Sequence, residues 1–475
     1  MPLIPSVEVP TAAELGRVHL IAIGGSSMSG VARLLAGLGH QVSGSDQADS
    51  PVLAELGALG ITTHVGHDAD QVADVDTVVV SSAIREDNPE LVAARERGLP
   101  VLHRSTAIAA ILGTRRSFVP ISVSGTHGKT TTSAWLAVTL AALGRDPSYL
   151  VGAPIAANRV TRPDTAAHLG KGPDFVIEAD ESDGTFLQYP TQIAVVTNVE
   201  ADHLDNWGTA EAYAAGFDDF VTGPTVRLAV INIDDTGAAA LAERVADRVE
   251  VITYGQAPTA DVRLTDCVLG ADRSTAMLRH GEAGGPLRIG LLGQHNLSNA
   301  AAVYAVCVGL GIDDAPVRKA IERFTGTSRR FQRIGEVHQV RVYDDYAHNP
   351  SKVRAAISAG RAAVGRGRLV VCFQPHLYSR TRDFADQFAE ALSGADEVVV
   401  TDVYPAREDP IPGVTGELIA KGVRTARGRT AHYVPGLDEA AATTARLARP
   451  WDLVMTIGAG SVTRIAPVIL ATLEG

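Results

Sequence analysis

The sequence has few cysteines and no apolar run long enough to cross a membrane. Cys267, Cys307 and Cys372 are the only cysteines among 475 residues. Their odd number and wide spacing favour reduced thiols in a cytoplasm over disulfides or a zinc site. The longest apolar stretch, residues 300–312, is shorter than the about 20 residues that a spanning helix needs, so it predicts a buried helix. A cytoplasmic protein without membrane insertion is therefore expected.

An excess of basic residues and an export signal are also lacking. Against 42 lysines and arginines stand 54 aspartates and glutamates, a formal net charge of -12. This balance argues against a nucleic-acid-binding surface and favours small-molecule partners. The N-terminus has no basic start and is interrupted by prolines, so residues 1–16 predict a flexible tail rather than a signal peptide.

The sequence does contain a regular alternation of apolar strands and helix-period segments, which is typical of α/β domains with parallel sheets. At roughly 100–200 residues per domain, this length predicts about three domains. Changes in pattern place them at residues 17–112, 113–329 and 330–475. Between residues 261 and 292 the pattern shifts to short alternating stretches with glycine turns, which predict a small antiparallel sheet.

A glycine-rich loop stands between a predicted strand and a predicted helix in the second domain. It reads GTHGKTT, residues 125–131, and lacks the first glycine of the usual G-x-x-x-x-G-K-[ST] phosphate loop, where this chain has Val123. Helix-start N–H groups hold phosphate oxygens and a lysine adds a point charge, whereas a chance turn at a helix start is the alternative. The predicted ATP-phosphate residues are Gly125, Thr126, His127, Gly128, Lys129, Thr130 and Thr131.

Two acidic segments of the same domain follow apolar strands. Glu178 opens EADESD, and His203 lies in TNVEADHLD. Acidic runs are usually solvated and a single loop histidine usually has no special role. Together with the hydroxyl of Thr130 they nevertheless predict a Mg²⁺ and phosphate site, although histidine is an unusual Mg²⁺ ligand.

The first domain begins with a strand, a glycine turn and a helix. Gly24, Gly25 and Gly30 follow the strand, and Asp46 ends the next strand about 20 residues later. A nicotinamide dinucleotide fold has the same features, so a dehydrogenase is one interpretation of this domain taken alone.

The order of motifs resembles that of the Mur ligases, the ATP-dependent amino acid ligases of peptidoglycan synthesis. GTHGKTTT, EADESD, TNVEADHLD and GQHNLSNAAA match their central ATPase segments. The resemblance implies a Rossmann-like N-terminal domain, a central P-loop ATPase domain and a Rossmann-like C-terminal domain. It also implies Mg²⁺ ligation by Glu178 and His203. The residues expected near adenine are His295, Asn296 and Asn299, although asparagine is also a good helix cap.

HLIAIGGSSMSGVA resembles the segment that holds uridine diphosphate in two branches of that family. Ala22 and Ser27 replace two glycines of the family pattern. The resemblance implies that Asp46 bonds a ribose hydroxyl, that Ser81 and Ser82 reach the diphosphate, and that His67 neighbours uridine, although a surface histidine is the alternative. The implied UDP-sugar residues are Gly24, Gly25, Ser26, Ser27, Asp46, His67, Ser81 and Ser82.

In the third domain, FQPHLYSRT and the later acidic loop resemble the alanine-adding branch of the family. Arginine forks match carboxylates and phosphates, and ion pairs between domains are the alternative. Asn349 and Leu377 depart from the family pattern, where a histidine and an arginine are usual. Arg330, at the hinge, is the candidate for ATP phosphates. The residues implied for the amino acid and muramate are Tyr346, His348, His376, Arg380 and Arg382.

The resemblance implies a ligase that uses ATP and Mg²⁺ to join L-alanine to the lactyl carboxylate of UDP-N-acetylmuramate, through an acyl phosphate. A tripeptide-adding ligase remains the alternative within the family, and the chain is expected to be a monomer or a homodimer. Sister enzymes carry a carbamylated lysine in the helix after D-H-x-D, but this chain has no lysine between Lys171 and Lys319. The implied catalytic residues are Lys129, His203, Arg330, His348 and His376.

Overall fold

The computed structural model describes residues 8–115, 117–155, 165–270, 273–406, 408–424, 428 and 431–475. The chain forms two compact units. The first extends to Gly326, apart from the segment 269–273, which groups with the second unit, Thr327–Gly475. Within the described residues no helix is both long and apolar enough to cross a membrane.

The first unit contains two sheets, and the N-terminal one is parallel with strand order β3-β2-β1-β4-β5. Its strands are short, and β1 is buried at every position. The elements of this part are β1 Val18–Ile21, α1 Ser26–Gly37, β2 Val42–Asp46, α2 Pro51–Ala58, β3 Thr62–Val65, β4 Thr77–Val80, α3 Pro89–Glu96, β5 Val101–His103 and α4 Arg104–Gly113, with short 3₁₀ helices at Ala12–Leu15 and Ala69–Val72.

The predicted flexible tail is wrong for the part of it that the structure describes. Residues 12–15 form a 3₁₀ helix, and Leu15 is buried in the core of the first sheet. The backbone N–H and the hydroxyl of Thr11 both donate to the carboxylate of Glu14, which fixes the start of this turn. Residues 12–15 are ordered because Leu15 anchors them in this core. Residues 1–7 lie outside the described residues.

The second sheet has the order β15-β14-β13-β12-β11-β10-β6-β9-β7-β8 among the described residues. Its central strands pair in parallel, and α9 is buried against them, as the apolar stretch at 300–312 predicts. Its elements are β6 Val119–Ser124, α5 Lys129–Ala142, β7 Ser148–Ile155, β8 Thr165–His168, β9 Asp174–Glu178, β10 Ile193–Val196, α6 Leu204–Trp207, α7 Ala210–Val221, β11 Leu228–Asn232, α8 Thr236–Val245, β12 Glu250–Gly255, β13 Val262–Leu269, β14 Ser274–His280, β15 Ala283–Ile289, α9 Gln294–Gly309 and α10 Asp314–Ile321, with a 3₁₀ helix at Thr185–Gln188.

The antiparallel strands predicted for residues 261–292 are present but do not form a separate sheet. β14 and β15 pair antiparallel, whereas β13 pairs in parallel with β12 and joins them to the large sheet. Sequence alternation identifies a strand but carries no information about which edge it extends.

The two sheets of the first unit share apolar contacts. α1 packs against β7 and β8, and its Leu34 and Val31 belong to one buried cluster with Leu150 and Phe175 of the second sheet. Gly30 lies at the closest approach, because a Cβ there would stand 2.4 Å from the Leu150 side chain. The glycine of the turn sequence therefore serves packing between the sheets as well as the turn.

The second unit contains one mixed sheet of order β16-β17-β21-β18-β19-β20, whose only antiparallel pair in the described part of the chain is β16 with β17. Three sheets, the first parallel and the other two with mostly parallel pairing, together with their flanking helices confirm the predicted α/β class. The elements are β16 Gln332–Val337, β17 Val340–Asp345, α11 Pro350–Val364, β18 Leu369–Phe373, α12 Tyr378–Asp383, α13 Ala385–Leu392, β19 Glu397–Val400, α14 Glu417–Gly422, β20 His432–Tyr433, α15 Leu437–Leu447, β21 Leu453–Ile457 and α16 Ile465–Glu474, with a 3₁₀ helix at Ser461–Arg464.

Candidate active site

The glycine-rich loop runs from the carboxyl end of β6 to the start of α5, and two of its positions require glycine. Gly125 has φ 132° and Gly128 has φ 83°, both in the region that L side chains rarely adopt. A Cβ on Gly125 would stand 2.1 Å from Thr197 Oγ1. The backbone therefore needs glycine at 125 and 128, whereas position 123 lies inside the buried strand β6 and has no such requirement.

The start of α5 is an anion-binding feature. The first α-helical bond of this segment runs from Thr132 N–H to the carbonyl of Gly128, and no described side chain caps the helix. The earlier N–H groups, including those of Lys129, Thr130 and Thr131, therefore have no partner within the helix. Their aligned dipoles favour a bound phosphate at this end.

Lys129 is held by protein acceptors in this state. Its ammonium donates to the carbonyl of Gly125 at 2.8 Å and to the two carboxylate oxygens of Glu181 at 3.0 and 2.7 Å. Glu181 is fully buried. Burial opposes the charge of Lys129, but the nearby carboxylates of Glu181 and Asp180 outweigh it and raise the pKa of Lys129. The lysine is thus a fixed positive charge beneath the loop.

Thr130 and Glu178 come together as the sequence predicts. The Thr130 hydroxyl donates to Glu178 Oε1 at 2.9 Å, and Gly152 N–H donates to Oε2 at 2.6 Å. A hydroxyl and a carboxylate side by side are oxygen donors of the kind that Mg²⁺ prefers, with phosphate oxygens and water to complete its shell. No group of three or more metal-binding His, Cys, Asp or Glu residues exists in the described part of the chain, so the protein offers a partial shell.

His203 lies in a left-handed backbone conformation, with φ 53°, immediately before α6. Its Nε2 stands 3.6 Å from the carboxylate of Asp202. Burial raises the pKa of Asp180, but Lys129, bonds from Ser182 and the more distant His203 together lower it. His203 therefore neighbours the carboxylates around Lys129, although no contact joins it to Thr130 or Glu178. A strained non-glycine residue beside a charged cluster is typical of a functional site.

Asn198, two residues after β10, fixes the loop and was missed by the sequence analysis. Its Oδ1 accepts from His127 N–H at 2.7 Å and its Nδ2 donates to the carbonyl of His127 at 3.1 Å. The hydroxyl of Thr126 bonds away from the loop, to the carbonyl of Glu200 and the hydroxyl of Tyr213. Thr126 thus positions the loop through its side chain, and its backbone N–H also donates within the protein, to the carbonyl of Asn198 at 3.3 Å.

The start of α9 approaches the same loop. Asn299 Oδ1 lies 3.0 Å from the position a Cβ would take on Gly128, and Asn299 Nδ2 donates to Asn296 Oδ1 at 3.3 Å. Asn296 in turn donates to the carbonyl of Leu292. The pKa of His295 is lowered by burial, so its ring is neutral near pH 7. The predicted adenine residues therefore form one group next to the phosphate loop.

A second group of predicted residues lies at the carboxyl end of the first sheet. Gly24 N–H donates to Asp46 Oδ2 at 2.9 Å, which ties the turn after β1 to the end of β2. Gly25 precedes α1, whose first residue is Ser26, and Ala22 has φ 62°. The turn therefore delivers the N-terminus of α1 beside Asp46, as a diphosphate and a ribose require.

The remaining members of that group lie around this turn. Ser27 is the second residue of α1, and Ser81 and Ser82 follow β4, the strand beside β1. His67 follows β3 on the other side, where its Nδ1 bonds to Ser45 and Glu90. Glu90 is fully buried and was not singled out from the sequence.

In the second unit, four of the residues implied for the amino acid and muramate converge. The rings of His348 and His376 are 5.9 Å apart, Tyr346 packs edge-on against His348, and Arg380 donates to the carbonyl of His348 at 3.3 Å. Burial, and then Lys352, lower the pKa of His348 to about 3, so its ring is neutral. Tyr404, which the sequence analysis did not select, stacks on His376.

The two other arginines predicted for the site, Arg382 and Arg330, differ in position from Arg380. Arg382 is exposed and donates to its neighbour Asp383 at 2.7 Å, so this structure does not bring it to the histidines. Its position two residues after Arg380 on α12 turns it to another face of the helix. Arg330 stands over the ring of Tyr346 at 5.4 Å, beside Arg329.

Family models match most of the chain. They are described as the Mur ligase family catalytic domain at residues 17–116, the Mur ligase middle domain at residues 123–307 and the Mur ligase glutamate ligase domain at residues 329–460. A protein of Cutibacterium acnes named UDP-N-acetylmuramate–L-alanine ligase is 52% identical over 100% of both chains. The chain belongs to the Mur ligase family. A protein of the same name from Kineococcus radiotolerans is 52% identical over 96% of each chain.

The solved structures agree with this family membership. The crystal structure of the UDP-N-acetylmuramate–alanine ligase of Thermotoga maritima is 30% identical, with a TM-score of 0.80, and covers 96% of this chain and 98% of its own. A murein peptide ligase of Psychrobacter arcticus, 22% identical with a TM-score of 0.72, shares the fold. The glycine turn of the first domain thus belongs to a Mur ligase, and the dehydrogenase interpretation no longer has support.

Of the two departures from the Mur ligase pattern in the second unit, one has a local structural role. Asn349 caps α11, because its Oδ1 accepts from Lys352 N–H at 2.9 Å. Leu377 precedes α12 with φ 72°, and its N–H donates to the carbonyl of Tyr404. Asn349 therefore substitutes a helix cap for the usual histidine, whereas nothing in the structure explains leucine at position 377.

Proposed function

We propose that this chain is an ATP-dependent ligase that joins L-alanine to the lactyl carboxylate of UDP-N-acetylmuramate. The observation that carries the proposal is the 52% identity, over the whole of both chains, to a protein named for that activity. In the proposed reaction the carboxylate attacks the γ-phosphate of ATP, which gives an acyl phosphate and ADP. The amine of L-alanine then attacks the acyl carbon and releases phosphate.

In the first step two anions must approach each other, and this chain offers fixed positive potential for it. Lys129 supplies a charge held in place by Gly125 and Glu181, and the free N–H groups at the start of α5 supply a dipole. These groups can stabilise negative charge on the transferred phosphoryl group. Binding ATP requires Lys129 to exchange at least one of its three protein acceptors for a phosphate oxygen.

We also propose that Mg²⁺ binds here with the nucleotide. Thr130 and Glu178 supply a hydroxyl and a carboxylate 2.9 Å apart, and His203 belongs to the same group of charged residues. The ion would neutralise charge on the phosphates. On the nearby helix α7, Asp218 is paired with Arg244 at 2.7 Å and Phe217 is buried in the core, so we propose neither as a ligand of the ion.

For the second unit we propose that Tyr346, His348, His376 and Arg380 orient the amino acid. The guanidinium of Arg380 matches a carboxylate. Burial keeps the ring of His348 unprotonated at neutral pH, so it can contact the substrate amine as a hydrogen-bond acceptor. We further propose a cytoplasmic enzyme, in agreement with the free thiols of Cys267, Cys307 and Cys372.

The test is ADP release by purified protein with ATP and Mg²⁺. We expect turnover only when UDP-N-acetylmuramate and L-alanine are both present, and the product should gain the mass of one alanine residue. Substitution of L-alanyl-γ-D-glutamyl-meso-diaminopimelate for L-alanine should give no turnover. Turnover with that tripeptide and not with L-alanine would assign the chain to the tripeptide-adding ligases instead.

A matched pair of lysine variants distinguishes the role of Lys129 in turnover from the general effect of removing a lysine. Lys129→Ala should lower turnover by about 10²- to 10³-fold, the usual effect of removing one group that stabilises transition-state charge. Lys171→Ala, at an exposed lysine, should leave it unchanged. UDP-N-acetylmuramate affinity, measured by calorimetry, should be similar in both, since Gly24 and Asp46 belong to the other sheet.

A further inference from the structure

The first sheet contains a buried polar cluster that the proposed reaction does not use. Glu90, on the first turn of α3, is fully buried, and so are His19 of β1 and Ser45 of β2. His67, after β3, joins them and keeps about a fifth of its side chain exposed. A carboxylate without access to water is retained in a fold only when donors satisfy it.

The donors around Glu90 are identifiable. The Ser45 hydroxyl donates to Glu90 Oε2 at 2.6 Å, and His67 Nδ1 lies 3.0 Å from the same oxygen. His19 Nε2 faces Oε1 at 3.4 Å. Burial opposes the charge of Glu90, but these groups outweigh it and hold the pKa of the carboxyl below its usual range. Glu90 Oε2 therefore has two close polar neighbours, whereas Oε1 has only the longer contact with His19 Nε2 and no hydrogen bond from it.

This arrangement determines which nitrogen of His67 carries hydrogen. Nδ1 faces Glu90 Oε2 at 3.0 Å and Ser45 Oγ at 2.9 Å. The only hydrogen of the Ser45 hydroxyl is committed to the carboxylate, so both neighbours of Nδ1 are acceptors. Nδ1 must donate, and an imidazole that carries one hydrogen, on Nδ1, presents Nε2 as an acceptor.

His67 lies where the base of the nucleotide should be, if the proposed substrate is correct. Moving outward from the centre of the sheet, the order is β1, β2 and β3. The turn after β1 carries the helix start suited to a diphosphate, and Asp46 ends β2, where a ribose would bind. His67 follows β3, and the intervening Gly66 N–H bonds to the carbonyl of Asp46 at 2.8 Å. The third subsite in this order is the base.

We propose that Glu90 is a positioning residue that selects uracil over cytosine by fixing the tautomer of His67. Uracil presents an N3–H donor, which an acceptor at Nε2 can bond. Cytosine presents an unprotonated N3 in the same place, so two acceptors would face each other and one would be left unsatisfied. The inference rests on the proposed UDP-sugar substrate and adds the residue that determines its base specificity.

The tautomer can be measured in the wild-type protein. In ¹⁵N-histidine-labelled protein at pH 8, the long-range nitrogen–proton correlations should identify His67 as the Nδ1–H form. Addition of UDP should perturb Nε2. An Nε2–H ring in the wild-type protein would overturn the proposal without any variant.

The selectivity is tested by calorimetry with UDP and CDP. Wild-type protein should bind UDP at least about tenfold more tightly than CDP, the loss expected for one unmatched polar contact. Glu90→Gln presents an N–H₂ group that can donate to Nδ1, so the preference should shrink about tenfold and KM for the UDP-sugar should rise while kcat stays similar. Glu96→Gln, at an exposed glutamate of the same helix, should retain the wild-type preference.

A second variant guards against misfolding at the buried site. His67→Phe removes the acceptor and leaves Glu90 in place, and it should also lose the preference for UDP. Equal binding of UDP and CDP by wild-type protein would refute base selection alone, and ADP release with UDP-N-acetylmuramate and L-alanine would still support the proposed function. Binding of neither nucleotide would overturn both.

Discussion

Replacing Lys129 with methionine should destabilise the protein as well as inactivate it. The change leaves the fully buried carboxylate of Glu181 without its 2.7 Å partner. Removing one member of a buried ion pair typically costs 3–5 kcal/mol, and because Lys129 is 14% exposed the lower end, about 3 kcal/mol, is expected. For a unit of this size about 2 °C are lost per kcal/mol, which predicts a fall of about 6 °C in the unfolding temperature of the nucleotide-free first unit.

The assay is differential scanning calorimetry, without nucleotide, of the wild type, Lys129→Met, Glu181→Gln and the double variant, beside one control variant. Lys129→Met/Glu181→Gln should recover at least half of the lost stability, because no unpaired charge remains buried, yet its turnover should stay as low as that of Lys129→Met. The Lys129→Met deficit should also shrink from pH 8 to pH 5, since protonation neutralises a carboxyl whose pKa burial raises. Lys171→Met is the control, with a change within about 0.5 kcal/mol.

The reasoning fails if the double variant is as unstable as Lys129→Met. That result would mean that the lysine stabilises the loop through its packing or its bond to Gly125, and that the charge of Glu181 is already relieved by other groups. Recovery of turnover in the double variant would instead remove Lys129 from the proposed chemistry.

Three further outcomes are expected. Ala22→Gly should raise the unfolding temperature, because alanine at φ 62° is strained, and the gain in the free energy of unfolding should be at most about 1 kcal/mol. A clear fall in the unfolding temperature would show instead that the methyl group makes stabilising contacts. The second unit should lose stability as pH falls from about 6.5 towards the pKa of about 3 of His348, because unfolding then takes up a proton. This loss should be at most about 1.4 kcal/mol per pH unit, and pH-dependent denaturation of His348→Asn should not show it. Turnover should not change when dissolved carbon dioxide is removed and bicarbonate restored at constant pH, because α7 has no lysine and presents Phe217 to the core; a reversible loss would reveal a carbamylated lysine elsewhere.

The phosphate loop could be predicted because its requirements are local. Gly125 and Gly128 need positive φ, and Lys129 and Thr130 begin the helix that follows, so four positions in one short stretch describe the turn. The alternation of strands and helices similarly predicted three α/β domains, although it did not show that the antiparallel strands of residues 261–292 join the second sheet. The burial of Leu15 could not be predicted, because it depends on apolar contacts with residues that are distant in the sequence.

Glu181 illustrates the limit within the site. Glu178, Asp180 and Glu181 stand in one acidic run, and only the turn after β9 determines that Glu178 meets Thr130 while Glu181 is buried under Lys129. Glu90 was missed for a similar reason, since a glutamate on the first turn of a helix is ordinarily exposed at the favourable end of the dipole. Partners brought together by folding leave no pattern in a single sequence.

The contact between α1 and strands β7 and β8 limits how this protein can be rebuilt. Because Gly30 allows the Leu150 side chain to approach α1, a nucleotide-sugar module transplanted from a relative would carry only half of a complementary surface. A chimaera joined at the linker near residue 115 should therefore aggregate or fold poorly, whereas one that exchanges β7, β8 and the first sheet together retains the matching halves. The boundary that matters for grafting is set by this interdigitation and does not coincide with the linker in the sequence.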